Sequence, residues 1–478
     1  MAAGIEFIGI DQDESFGGTA ARGGLGCSIA GSPLQARLGI SDSPERAIRD
    51  LTADQTEADL DWARLYYRSA SRWVYDWLVD LGVTFETVLP SEGDSVPRFH
   101  LPHGLGARVM ALAWERFRTL GADRNWRFGL TVTGMLKQGR SVTGVHVRDR
   151  TGVSQDIHGN AVILATGGFA GNLEQLRDLA PKFADVPRLL AGGGPSAQGS
   201  GHELAAQAGG YLTHLHNVYG YANGTPDYTD PSGRRGVVVR NGTDWIWINC
   251  HGQRFLNEDL TQAGRTATSH LLQQDGATCW AIFDDRVLND LTVFDHYQQP
   301  GREDRRHTAR RYLRYSPYAR TASSCAALAS CIGLAPEKLE DTIAGWHRLI
   351  ASGASQDLLT GRSLTRIRPL GEGDWHAIQL FPLGRKTLGG VRTDLDCRVI
   401  SNAGERIPGL YAAGELAGFG GGHLSGANSL EGLMAGGSLF SGRVAGRAAI
   451  VDAAMRGAAS TELDPSRQVA RGIDARDP

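Results

Sequence analysis

An acid at the tip of a short apolar run, followed at once by paired glycines, is the first arrangement in this sequence with chemical content. The run "IEFIGIDQDE" places Asp11 where the second strand of a dinucleotide-binding unit offers a carboxylate to a ribose hydroxyl, with Asp13 as its substitute. Gly17, Gly18, Gly23 and Gly24 follow in "FGGTAARGGLGCSI", where a bare backbone can lie against a bulky ligand. Phe16, Leu25, Cys27 and Ile29 in the same stretch mark a packed loop, not a polar linker. Further on, the apolar run Ala161 to Ala165 ends in Thr166-Gly167-Gly168, and ligands of open α/β sheets sit outside such strand ends. The stretch "GLYAAGELAGFGGGHLSGANSLEG" repeats the theme: a short strand, Leu410 to Ala413, is closed by Gly414-Glu415 and a glycine-rich loop. A helix of small residues then runs from about Ser429 to Ile450, with Ser425, Asn428 and Ser429 as caps. Its free N–H groups and positive dipole end suit an anion, such as the N1–C2 edge of a reduced flavin.

These loops need a parallel sheet whose carboxyl ends converge. Two alternating segments, Gly144 to Val147 and Ser154 to Ile157, predict an antiparallel pair leading into the Ala161 strand. A chain of 478 residues is long for one core, so two domains are expected. The loop-rich stretch from Gly209 to Gly236 and the strand-like "GRKTLGGVRTD" bracket the second.

Composition narrows the class. Lys and Arg total 49 against 52 Asp and Glu, which gives no field for nucleic acid or an anionic membrane surface. The most basic run, Arg302 to Tyr315, carries interleaved acids and reads as a solvated helix or a mobile cap segment. The six cysteines show no C-x-x-C and read as buried reduced thiols, and His100 and His103 lack a third ligand, so no metal is expected. No run spans a membrane and no secretory signal opens the chain, which predicts a cytoplasmic protein.

Taken together, "AVILATGGFAGN", "GQRFLNED" and "GLYAAGELAGFGGGHLSGANSLEG" resemble the flavoprotein family of fumarate reductase, the succinate dehydrogenase flavoprotein and the 3-ketosteroid dehydrogenases. The stretches "DSPERAIRD" and "SVPRFH" are similar to members called FAD-binding dehydrogenases. The resemblance implies an α/β fold: a Rossmann-like FAD-binding domain, residues 1–215 and 375–455, interrupted by an α+β capping domain, 216–374, with a flexible tail at 456–478. It implies FAD on Asp11, Gly17, Gly18, Gly23, Gly24, Thr166, Gly167, Gly168, Gly414, Glu415, Ser429 and Leu430. Hydride would pass between flavin N5 and a carbon–carbon bond next to a carbonyl or carboxylate of a small molecule, with an unidentified electron donor or acceptor.

The family's proton-donating Arg maps to Arg265, with Glu258 or Asp259 to tune it. Its substrate-gripping His before "LGG" is replaced by Arg385 and Lys386, either inward-facing cations or a solvated pair. The second carboxylate clamp, an Arg after Ala-Asn, is replaced by Ser429, and Glu431 follows, which counts against fumarate or succinate. The steroid enzymes' Tyr in this region is absent as well; Tyr219, Tyr221 and Tyr228 of the cap are aromatic candidates. Arg98 and His100 are expected near the substrate. In this family a strand and G-x-G-x-x-G precede the acidic strand, whereas here Met1 to Gly4 would be the end of the intervening helix. The expectation is a start assigned at an internal Met, weak FAD binding by the chain as written, and parallel strands lacking their central partner. A partly folded remnant or partner subunit, and a flavin monooxygenase or oxidase on the same fold, are the alternatives.

Overall fold

The computed structural model describes residues 6–462 except 54–56, 241, 263–264, 295–306 and 428–429; the side chains of 261–262, 265, 294 and 456–462 are likewise outside the description. Arg302 of the basic run therefore lies outside it, while the run's end forms the helix Thr308–Tyr315.

The strand Gly9–Asp11 pairs in parallel with Trp126–Phe128. Val162–Leu164 pairs in parallel with Leu410–Ala412 of the strand Arg406–Ala412, whose other neighbour is Arg398–Ile400. Among the described residues neither Gly9–Asp11 nor Val162–Leu164 gains a second strand partner, and both edges line one cavity. The alternating segments form a three-stranded antiparallel sheet, Leu130–Gln138, Ser141–Asp149 and Ser154–His158. The small-residue helix begins at Leu433, later than its composition predicts, and runs to Glu462. No helix among the described residues is long and apolar enough to cross a membrane.

An eight-stranded sheet forms the second body. Its spine is the 13-residue strand Trp375–Thr387, flanked by Cys279–Asp284 and Val218–Pro226. Apolar residues gather accordingly. One buried cluster joins Trp62, Tyr66, Tyr67 and Val74 to Leu430, Met434 and Phe440. Another is drawn entirely from residues between Ala222 and Leu380, around Trp245, Trp247 and Trp346. Trp375, Ala377, Ile378 and Leu380 lie in that second cluster, and Phe381 and Leu383 of the same strand lie in the first.

The stretches containing Arg98 and His100 have a packing role. Both side chains are fully buried and neither lines the cavity. Arg98 bonds Asp42 through Nε and Nη2 at 2.8 and 2.9 Å, and its Nη1 lies 2.6 Å from Asp94 and 2.9 Å from Asp50. "DSPERAIRD" and "SVPRFH" are thus the two halves of one ion-pair cluster. His100 is held between Ser32 Oγ, 2.6 Å from Nε2, and Arg98 O, 2.7 Å from Nδ1. The expected place beside a substrate is not where the chain puts them.

Three carboxylates around one guanidinium leave a charge surplus. Burial pushes the Asp94 carboxyl up to about 7, with Arg98 opposing and Asp50 and Asp42 adding to the rise, and its Oδ2 is buried without a hydrogen-bond partner among the described residues. A carboxyl raised in the folded state contributes stability below its ordinary value and loses that contribution as pH rises through about 7. The gap to an ordinary carboxylate caps the effect at about 4 kcal/mol. Asp94→Asn keeps an acceptor for Arg98 and is expected to flatten the fall in unfolding free energy between about pH 5 and 8; urea titrations across that range check it, and an unchanged slope would count against the assignment.

Candidate active site

The edges of the parallel strands and the glycine loops open on one cavity of about 2270 Å³. Asp11, Gly17, Gly18, Gly23, Gly24, Thr166, Gly167, Arg385, Lys386, Gly414 and Glu415 all line it. Gly168 and Leu430 do not; Leu430 is buried and Gly168 lies behind the wall. Ser429 is outside the described residues, and Arg265 opens the helix Arg265–Leu272 with its side chain outside the description. Glu258 and Asp259, expected to tune Arg265, form ion pairs with Arg254 and Arg362.

At one end, the geometry separates the two candidate acids. Asp13 accepts from Ser196 Oγ at 2.7 Å, whereas Asp11 Oδ1 accepts the nearby backbone N–H of Asp13 at 3.0 Å. Burial raises the Asp11 carboxyl, opposed by that N–H. Asp11 therefore has acceptor capacity left for a ribose.

Behind the middle of the cavity, Glu415 closes three segments together. Its Oε1 accepts Thr387 N–H at 2.8 Å and the Thr387 hydroxyl at 3.1 Å. Desolvation raises its pKa, with the Thr387 N–H, Lys386 and Arg385 pulling the other way. A Cβ on Gly168 would stand 2.2 Å from Thr387 Oγ1 and 2.3 Å from Glu415 Oε1, so a close approach, not ligand contact, requires that glycine.

Two of the cavity's cations owe their position to a bulge. Successive strand residues normally face opposite ways. Here Tyr219 pairs with Lys386 and Gly220 with Gly384, so Arg385 is the extra residue and both cations reach the cavity. Arg385 is anchored to Gly192 O.

Sequence reading missed Arg240 and the partner of Glu431. Arg240 ends the strand Gly236–Arg240, lines the cavity and lies 5.2 Å over the Tyr221 ring, with its Nε buried and without a hydrogen-bond partner among the described residues. A cation at the end of the apolar run "GVVVR" was the available signal. Glu431 also lines the cavity and accepts from the hydroxyl of Tyr219, the cross-strand neighbour of Lys386, at 2.8 Å. Burial first, then the Glu431 charge, hold that phenol well above its ordinary pKa, so it stays a donor. Tyr228 instead stacks on Tyr315 away from the cavity.

A flavin dinucleotide fits this chamber. Its volume exceeds the roughly 300–1,000 Å³ of ordinary ligand pockets. Gly18 and Gly167 line it with φ of +48° and +77°, and a Cβ on either would meet only open space. Its lining includes a carboxylate suited to a ribose, Asp11, and cations suited to a reduced, negatively charged ring, Arg385 and Lys386.

The sequence and fold agree with known proteins. The FAD binding domain family profile matches residues 2–433. A fumarate reductase (cytochrome) of Shewanella frigidimarina is 30% identical over 454 residues, covering 94% of this chain and 73% of the relative. A KsdD-like steroid dehydrogenase of Mycobacterium tuberculosis is 27% identical over 524 residues, covering 94% and 92%. The open conformation of a flavocytochrome c3 fumarate reductase superposes with a TM-score of 0.74 at 24% identity, over 95% of this chain and 75% of that one. The 3-ketosteroid-Δ4-(5α)-dehydrogenase from Rhodococcus jostii RHA1, solved with 4-androstene-3,17-dione, gives 0.69 at 26%, over 94% and 92%. These relatives are reductases and dehydrogenases, and they favour that reading over a monooxygenase or a non-catalytic remnant. The chain belongs to the FAD binding domain family and is an FAD-dependent oxidoreductase acting on CH–CH groups.

Proposed function

We propose that this enzyme acts on a carbon–carbon bond conjugated to a ketone or to a single carboxylate, and that dicarboxylates are poor substrates. Asp11 and the glycine loops would hold FAD, which when bound supplies the hydride acceptor or donor. The observation that carries the reading is the set of cations lining one cavity: Arg240, whose buried Nε has no hydrogen-bond partner among the described residues, and the bulged pair Arg385 and Lys386. A desolvated cation without a counter-charge is costly, and a substrate oxygen bearing negative charge relieves it. The same cations polarise the carbonyl or carboxylate and stabilise charge developing on it during the reaction.

Glu431 lines the same cavity, its carboxylate accepting from Tyr219. A second substrate carboxylate beside it would meet like charge, whereas a hydroxyl or an apolar extension would not. Arg265 is the proposed proton carrier for the adjacent carbon, on the resemblance that singled it out. Among the relatives, names include fumarate reductase, steroid dehydrogenase and, at 26% identity, vinyl phenol reductase of Lactiplantibacillus plantarum, so the fold tolerates several groups beside the reacting bond.

The test is anaerobic reoxidation of the chemically reduced holoenzyme by an unsaturated ketone, an unsaturated monocarboxylate and fumarate. Faster reaction with either of the first two is expected; fumarate as the best oxidant would overturn the Glu431 argument, and reoxidation by oxygen alone would return the enzyme to the oxidases. Arg240→Ala is expected to lower kcat/KM by about 10–100-fold, the worth of one charged hydrogen bond, at unchanged flavin content, with Arg240→Lys recovering part of the loss. Gly168→Ala should act differently. By driving Thr387 and Glu415 apart it is expected to cut the flavin-to-protein absorbance ratio of the purified enzyme, while a normal ratio would show that the contact yields.

A further inference from the structure

Two turns on the second body bring together three unlike metal-binding side chains. The turn after the strand Ile246–Ile248 carries Cys250 and His251, and Asp275 opens the short helical turn Asp275–Ala277. One ligand atom from each lies within 4.8 Å of the others. His251 Nε2 is 3.0 Å from Asp275 Oδ2, and Cys250 Sγ is 3.8 Å from the same oxygen.

We propose that Cys250, His251 and Asp275 form a site for one zinc-class transition-metal ion, held by thiolate, imidazole and carboxylate with water in the fourth position. Metal bonds of about 2.0–2.3 Å set the ligand atoms of a tetrahedral ion roughly 3.3–3.8 Å apart, so the observed separations need only small adjustments. A thiolate and an imidazole select against magnesium and calcium, which take oxygen ligands.

The backbone beneath the ligands is fixed without the ion. Asn249 Oδ1 accepts the N–H groups of His251 and Gln253, each at 3.0 Å, and Gly252 N–H returns to Asn249 O at 3.0 Å. Asn249 Nδ2 donates to Gln274 Oε1 at 3.1 Å, which ties the first turn to the residue before Asp275. Thr342 Oγ1 clamps Gly252 O at 2.7 Å from the neighbouring helix Pro336–Ala351. Such a base spares the ion most of the ordering cost.

All three ligand residues are exposed, so an ion reaches them without opening the core, and none lines the flavin cavity. The site is therefore independent of the substrate reading. Binding breaks the Cys250 S–H bond and forms a sulfur–metal bond; the proton leaves to solvent, His251 offers a lone pair, and nothing is oxidised or reduced. Bound there, the ion would fasten together the two ends of the segment that contains "GQRFLNED" and the helix Arg265–Leu272.

The sequence hides the site because Cys250 and His251 are adjacent and the third ligand follows 24 residues later than His251. It also departs from the expectation of buried thiols: Cys27, Cys279 and Cys397 are buried, Cys325 is half-buried, and Cys250 and Cys331 are exposed.

The test is a titration of the chelator-treated, FAD-loaded full chain with Co²⁺, read in the visible d–d bands of tetrahedral cobalt beyond the flavin absorption. One ion per chain is expected, displaced by Zn²⁺, with the bands lost in Cys250→Ser, weakened in His251→Ala and Asp275→Asn, and kept in Cys331→Ser, which removes the other exposed thiol. Zn²⁺ should also raise the thermal midpoint of the wild type but not of Cys250→Ser, whose unchanged flavin content would show that it folds. No tetrahedral bands, or bands that survive Cys250→Ser, would overturn the proposal.

Discussion

A carboxylate set inside a protein must find donors, and the way Glu415 finds them fixes the geometry of the site. Its oxygen takes both the N–H and the hydroxyl of Thr387 and leaves no room for a side chain on Gly168. One acceptor thus holds the end of the "ATGG" strand, the end of the long cap strand and the start of the glycine-rich loop in mutual contact. Each segment alone is a strand with a loop after it. Joined through Glu415, their ends form a single wall, and the positions of Lys386 and Gly167 on that wall follow from the contact. Burying a carboxylate for this purpose is costly unless its bonds are made, so the arrangement is close to all or none.

The long strand transmits that constraint to the cap. Trp375 to Leu380 pack in the cap's own core, and Phe381 and Leu383 pack in the other. The strand passes through both bodies in thirteen residues and bulges just before it reaches Glu415. The bulge matters chemically. Without the extra residue, Arg385 and Lys386 would face opposite sides of the sheet, and only one could act on a substrate.

What was legible in the sequence divides along this line. That Asp11, Gly17, Gly18, Gly23 and Gly24 would lie together was legible because a strand end and its loop are local, and all five line the cavity. The strand Val162–Leu164 and the antiparallel pair before it were legible for the same reason. Arg98 and His100 were misplaced, since their assignment depends on carboxylates at Asp42 and Asp50, about half a hundred residues back, that no spacing rule connects. Gly168 was placed for the wrong reason: its role is a steric contact with residues 219 and 247 positions further along. Arg240 went unnoticed because a lone cation at the end of a strand is ordinary, and only the fold shows where it points.

Several buried arginines of this protein are matched to carboxylates. Arg98 meets three carboxylates, Arg254 meets Glu258 and Asp357, and Arg362 meets Glu258, Asp259 and the carbonyls of Trp245 and Thr243. Those pairs are structural, and each would cost several kcal/mol if broken from one side, by about 3–5. Arg240, which lines the cavity, is placed differently. Its guanidinium rests on the Tyr221 ring, which offsets part of the cost of desolvation but does not satisfy Nε. A cation left waiting beside a flavin-sized chamber is better explained by what enters the chamber than by packing.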